Sequence, residues 1–264
     1  MIGCFKLCTL FCNLIDELRR FCLMINDRWR ENALNEKNKL GEEKYAYRIF
    51  IGTVLWARYP STEKLNKFVE KASLDKLYEI YKNEGEGGVR RFIHEVTREL
   101  GFGDRDLLVK SIIDLLEKAY AKYGGFVNFL KDVMKRYSSA SQLEEYLRNQ
   151  FRGLGSINTA GLIRDLRLAD IITIDISDLD YFSAEPVIRV LLRTGIIEDK
   201  SLLSDINKRI QTRKEISDYL RKIFNTPPIT LDSGLYYIGS NYCIRDNPRC
   251  DIYPLTHVCP KLTI

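Results

Sequence analysis

No apolar run in this chain approaches the ~20 residues that a membrane-spanning helix needs, so a membrane partner is not expected. The first 25 residues are rich in Leu, Phe and Cys, but Lys6, Asp16, Glu17, Arg19 and Arg20 interrupt them. They lack the leading positive charges and small-residue ending of a signal peptide. Cysteine comes in an odd number, 7, which excludes a full disulfide framework. With four cysteines near the N-terminus and three near the C-terminus, a reduced, cytoplasmic setting is expected. No strand pattern and no internal repeat is seen. Histidine is scarce, with 2 residues. His94, in a helical stretch, reads as a helix-surface or core residue rather than a ligand.

What remains is enough for a core. The chain has 264 residues, of which 45 % are hydrophobic, suiting one or two globular domains. The formal net charge is +5, a mild excess compatible with a polyanion partner. Helical periodicity runs through nearly the whole chain. Cys4, Cys8 and Cys12 recur every fourth residue beside Leu7, Phe11, Ile15 and Leu18, which marks one apolar face of a helix with Cys serving as a small hydrophobe. Residues 26–44 are polar and read as a solvated helix end and linker. Further helices are expected before Pro60, from Ser61, over 75–83 and 88–100 on either side of Gly85–Gly88, and from a cap at Asp104 to about Tyr123.

Two stretches carry chemistry. The first is Tyr242–Pro260, YCIRDNPRCDIYPLTHVCP. Cys243, Cys250 and Cys259 are separated by six and eight residues in a loop too short for its own core. Soft sulfur ligands in such a loop point to zinc or an iron–sulfur centre, although three thiolates are one short of the usual four. A disulfide or plain buried thiols are the alternative. The second stretch is QLEEYLRNQFRGLGSINTAGLIRDL. A helix over Gln142–Phe151 breaks at Gly153-Leu154-Gly155, and another starts near Ser156. Glycines at this spacing allow a tight turn with φ > 0 and expose N–H groups at the positive end of the next helix, a phosphate-binding arrangement that reads no sequence.

Together these stretches resemble the endonuclease III family of helix-hairpin-helix DNA glycosylases, over roughly residues 45–260. The family's iron–sulfur loop holds a 4Fe–4S cluster on four cysteines. Cys243, Cys250 and Cys259 fall on its first, second and fourth positions, and Tyr253 falls on the third. An N-terminal thiol is a further candidate for the missing ligand. The resemblance implies an all-α, two-domain fold: a six-helix domain over 45–172 carrying the hairpin, and a second domain joining 1–44 to 173–264. It implies a groove for bent duplex DNA, damaged and with one nucleotide flipped out, contacted through Gly153, Gly155 and Ser156. Arg58 matches a position where the family often has the Gln that fills the space left by the flipped base. A monomer associated with the nucleoid is expected. The cofactor is expected as 4Fe–4S, as a labile or 3Fe–4S form, or as an empty loop.

Two departures from the family bear on catalysis. The nucleophilic Lys of the bifunctional members falls on Ile157 or, with one inserted residue, Asn158. The family's catalytic Asp opens the helix that ends Arg189-Val190-Leu191-Leu192-Arg193-Thr194-Gly195, and ungapped counting puts it at Ala184. Glu185 and Asp180, together with Asp175 and Asp178, are the acids nearby; the plain alternative is that they cap and solvate the helix start. The expected function is therefore a DNA-binding protein of the base-excision-repair glycosylase superfamily with impaired or atypical catalysis. The alternatives are an active monofunctional glycosylase using Glu185 or Asp180 as its carboxylate, or a non-catalytic lesion-binding scaffold.

Overall fold

The computed structural model describes residues 2–55, 61–103, 105–180 and 184–262, with side chains from residue 11 onward. Among them the fold is all-α, with no strand. The helices are α1 (Ile2–Leu40), α2 (Glu42–Val54), α3 (Thr62–Lys71), α4 (Leu74–Glu99), α5 (Asp106–Leu115), α6 (Ala121–Tyr123), α7 (Phe126–Met134), α8 (Ala140–Gln150), α9 (Ser156–Leu168), α10 (Glu185–Arg193), α11 (Ile206–Phe224) and α12 (Pro228–Asn241). A π-helical turn over Leu116–Tyr120 joins α5 to α6, and a 3₁₀ turn over Lys200–Leu203 precedes α11. No helix of the described residues is long and apolar enough to cross a membrane.

Local chemistry explains several helix starts. Ser61 accepts from the Lys64 N–H at 3.3 Å and opens α3. Ser139 accepts from the Gln142 N–H at 3.3 Å and opens α8. The two segments of α4 meet at a kink at Gly85, whose φ is 64°. The expected cap at Asp104 lies outside the described residues.

Residues 26–40 are helix rather than linker, because α1 continues unbroken to Leu40. Arg, Glu, Ala, Leu and Lys in that run favour helix, and no Pro or Gly interrupts it before Gly41. The charged face is partly used: Glu36 accepts from Arg48 Nη1 at 2.6 Å.

The chain forms two compact units, residues 32–176 and residues 1–31 with 177–264. The first boundary, between residues 31 and 32, falls within the residue range of α1. The 32–176 unit has an aromatic centre. Phe50, Phe126, Phe129 and Phe151 are all buried. The Phe151 ring packs edge-on against Phe50, Phe126 and Phe129 at centroid distances of 5.3, 6.0 and 5.6 Å, the preferred geometry for aromatic pairs. Phe151 ends α8, so this cluster fixes where the chain enters the following turn.

The other unit packs α10 and α12 with α1 around Leu14, Leu18, Cys22, Ile188, Leu191 and Leu235. Helix α12 comes unusually close to its neighbours at two glycines. A Cβ on Gly234 would lie 2.3 Å from Cys22 Cα, and one on Gly239 would lie 2.3 Å from the Pro186 carbonyl oxygen.

Candidate functional site

The hairpin belongs to the 32–176 unit. Gly153 has φ 90°, and a Cβ there would meet Ser111 Oγ at 2.8 Å. Both conformation and packing therefore require glycine. Gly155 is different. Its φ is −83°, available to any residue, and a Cβ there would meet nothing within 4 Å. It is exposed at the N-cap of α9, and no side chain caps the helix. Ser156 follows, half-buried, as the first residue of α9.

The approach to the turn is anchored by groups on α5 and the π turn. Asp114 accepts from the Arg152 N–H at 2.8 Å, and its two oxygens accept from Arg152 Nε at 2.9 Å and Nη2 at 3.0 Å. Lys118 stands 3.1 Å from the same carboxylate and donates to the Gln150 carbonyl. Ser111 Oγ donates to the Arg152 carbonyl. Burial pushes the Asp114 carboxyl up, but the Arg152 and Lys118 contacts outweigh it and hold it below its ordinary value. Nothing in the sequence flagged Asp114 or Ser111, because each is one polar residue in the apolar run DLLVKSIIDLL. Asn158, one of the two positions matching the family lysine, points its amide at the Thr53 carbonyl at 3.5 Å. Arg58 lies outside the described residues.

The cysteine loop belongs to the other unit. Cys243, Cys250, Cys259 and Tyr253 line one small pocket of about 20 Å³, with Arg193, Thr194, Val190 and Lys261 completing its wall. The loop is held by backbone bonds: the Cys243 N–H to the Ile238 carbonyl at 2.8 Å, the Arg249 N–H to the Tyr242 carbonyl at 2.8 Å, and the Cys259 N–H to the Leu255 carbonyl at 3.0 Å. Two arginines of α10 complete the attachment. Arg189 is buried; it donates to the carbonyls of Cys243 and Gly239 and pairs with Glu185. Arg193 donates to the Ile244 carbonyl at 2.7 Å and the Arg245 carbonyl at 2.9 Å, and its Nη1 lies 3.5 Å from Cys243 Sγ. The phrase Arg189–Gly195 is thus the mounting of the cysteine loop.

The thiols are half-buried and free of disulfides. Burial pushes the Cys243 and Cys259 thiols up, and the Arg193 guanidinium partly opposes this at Cys243. Among the described residues, no three His, Cys, Asp or Glu side chains surround one point closely enough to hold a single metal ion. A multi-iron cluster makes a different demand, since each cysteine binds a different iron and the thiols stand apart around one cavity. The three thiols that line this pocket are soft donors of the kind iron–sulfur centres take, one short of four. Of the N-terminal cysteines, Cys12 is exposed, and Cys22 is buried in the core without lining the pocket. The side chains of Cys4 and Cys8 lie outside the described residues.

The candidate acids are engaged. Ala184 is the N-cap of α10, with no side-chain cap, and it packs against the core. Glu185 pairs with Arg189 and lies 3.7 Å from Arg245. Asp180 Oδ1 lies 3.6 Å from Arg221, which also donates to the Asp178 and Leu179 carbonyls at 3.1 Å each. Arg209 and Arg213 are buried rather than solvated, and Arg213 donates to the Asp180 carbonyl at 3.3 Å. A basic helix face in the sequence does not reveal which arginines fold inward.

Comparison with protein-family models and with curated proteins finds no match to this chain.

Proposed function

We propose that this chain is a DNA-binding protein built on the helix-hairpin-helix glycosylase scaffold of the endonuclease III type. An iron–sulfur cluster would be held at Cys243, Cys250 and Cys259, and base-excision chemistry is impaired. The observation that carries DNA binding is Gly155. Neither its backbone conformation nor its packing asks for glycine, and the space beside it is open. A glycine at the uncapped start of a helix lets a phosphate backbone approach the helix N–H groups closely. Such contacts position duplex DNA without reading its sequence.

The cluster, when bound, supplies an electron-rich metal centre that also cross-links the loop. This chain's residues hold the thiols in place and set Arg193 beside Cys243. Damaged duplex DNA is the proposed partner. Impaired catalysis is supported by Ala184 at the N-cap and by the ion pairs that engage Glu185 and Asp180.

Gly155→Ala tests the hairpin reading. The open site accepts a methyl, so the thermal midpoint stays at the wild-type value. Loss of one charge-assisted phosphate contact should weaken duplex binding about tenfold. Unchanged affinity in a folded variant would remove the hairpin from the DNA interface.

A further inference from the structure

Tyr253 is 6 % exposed, and its hydroxyl is buried with no hydrogen-bond partner in the structure. An unsatisfied buried hydroxyl is destabilising, and phenylalanine would fill the same space without that cost. The ring is packed, with its centroid 5.8 Å from that of Tyr242. It shares the pocket lining with Cys243, Cys250 and Cys259. A buried hydroxyl with no partner, on a residue that shares one pocket with three thiols one ligand short, is available as a ligand.

We infer that Tyr253 supplies the fourth protein ligand of the cluster through its phenolic oxygen, giving a donor set of three thiolates and one phenolate. The inference rests on the cluster reading above. The chemistry balances without a redox step. The phenol O–H bond breaks, an Fe–O bond forms, and the proton leaves to solvent, as metal ligation requires of its ligands. Ferric iron takes tyrosinate as an axial ligand in haem enzymes, so the pairing of metal and donor is sound. One iron of the cluster thereby differs from the other three.

The test uses the full-length chain, reconstituted anaerobically with ferrous iron and sulfide and then oxidised. Iron and acid-labile sulfide are counted per chain, and resonance Raman spectra are excited in the visible phenolate-to-iron charge-transfer band. The wild type should hold the 4Fe–4S form and show enhanced tyrosinate ring modes. Tyr253→Phe, which removes only an unpartnered hydroxyl, should fold, lose those modes and stop at the 3Fe–4S form. Tyr253→Cys should hold the 4Fe–4S form without the modes. A wild-type cluster with no tyrosinate modes and a Tyr253→Phe variant of equal iron content would overturn the ligation and leave the cluster reading intact. If neither the wild type nor Tyr253→Cys takes up iron, both fall.

Discussion

The carboxylate of Asp114 holds both the backbone and the side chain of Arg152, two residues before the hairpin leucine. One buried acid on α5 thereby sets the last turn of α8 and the direction in which the chain enters Gly153. Asp114→Asn would keep the shape, remove the charge and leave the Arg152 and Lys118 cations without their partner. A loss of about 2–3 kcal/mol is expected, read as a lower midpoint in urea. The Asp114 carboxyl is held below its ordinary value, so its contribution is present above the unfolded pKa of about 4 and is lost as pH falls below it. The gap between wild type and variant should therefore close in acid. A constant gap down to pH 2 would contradict this assignment.

The hairpin glycines should separate by substitution. Gly153→Ala combines φ 90° with a contact at 2.8 Å to Ser111, and about 2 kcal/mol or more of stability should be lost. For a chain of this size that is a drop of roughly 4–8 °C in thermal midpoint. Gly155→Ala should melt with the wild type. Equal midpoints for all three proteins would mean that the turn is not formed as described.

Cys22 is a buried thiol whose pKa burial raises well above the ordinary value, with Asp232 adding to the shift. The neutral thiol is favoured in the fold. Its contribution is complete below the unfolded pKa of about 8.5 and declines as pH rises above it. Stability measured by urea unfolding should fall between pH 8 and 10 in the wild type, and less steeply in Cys22→Ala. Identical slopes would show that the thiol is not sequestered.

Glu185 is bound to a buried arginine, and that arginine grips the cysteine loop. Glu185→Gln should therefore act first on stability, costing about 1–3 kcal/mol by leaving the Arg189 charge less compensated. Duplex affinity should stay the same. Base excision that is present in the wild type and lost in Glu185→Gln would instead identify a working carboxylate.

Much of this architecture was legible in the sequence, where short-range chemistry decides. Ser61 announced a helix start and Gly153-Leu154-Gly155 announced the turn, while the expected break at Gly85–Gly88 is a kink at Gly85 within one helix. The cysteine spacing pointed to thiols that the fold does bring to one pocket. What stayed hidden depends on distant neighbours. The run 26–44 looked like a solvated helix end and linker because its residues are polar, but the helix continues to Leu40, with Ala33 buried and Glu36 held by Arg48. Arg189 and Arg193 formed a recognisable phrase, but their carbonyl partners lie some fifty residues away in sequence. Arg209 and Arg213 lie on a basic helix and are nevertheless buried. The unpartnered hydroxyl of Tyr253 appears only once its surroundings are built.

The central claim is DNA binding with little or no excision, and one assay addresses both parts. Anaerobically purified full-length protein would be titrated into duplexes carrying uracil, oxidised guanine, thymine glycol or an abasic site. Binding and base loss would be scored on the same samples at several salt concentrations. The account predicts binding whose affinity falls linearly on a log–log plot against salt, as phosphate contacts require, with every base retained. No binding at low salt would contradict the account at its root, and efficient removal of any base would contradict its claim of impaired catalysis.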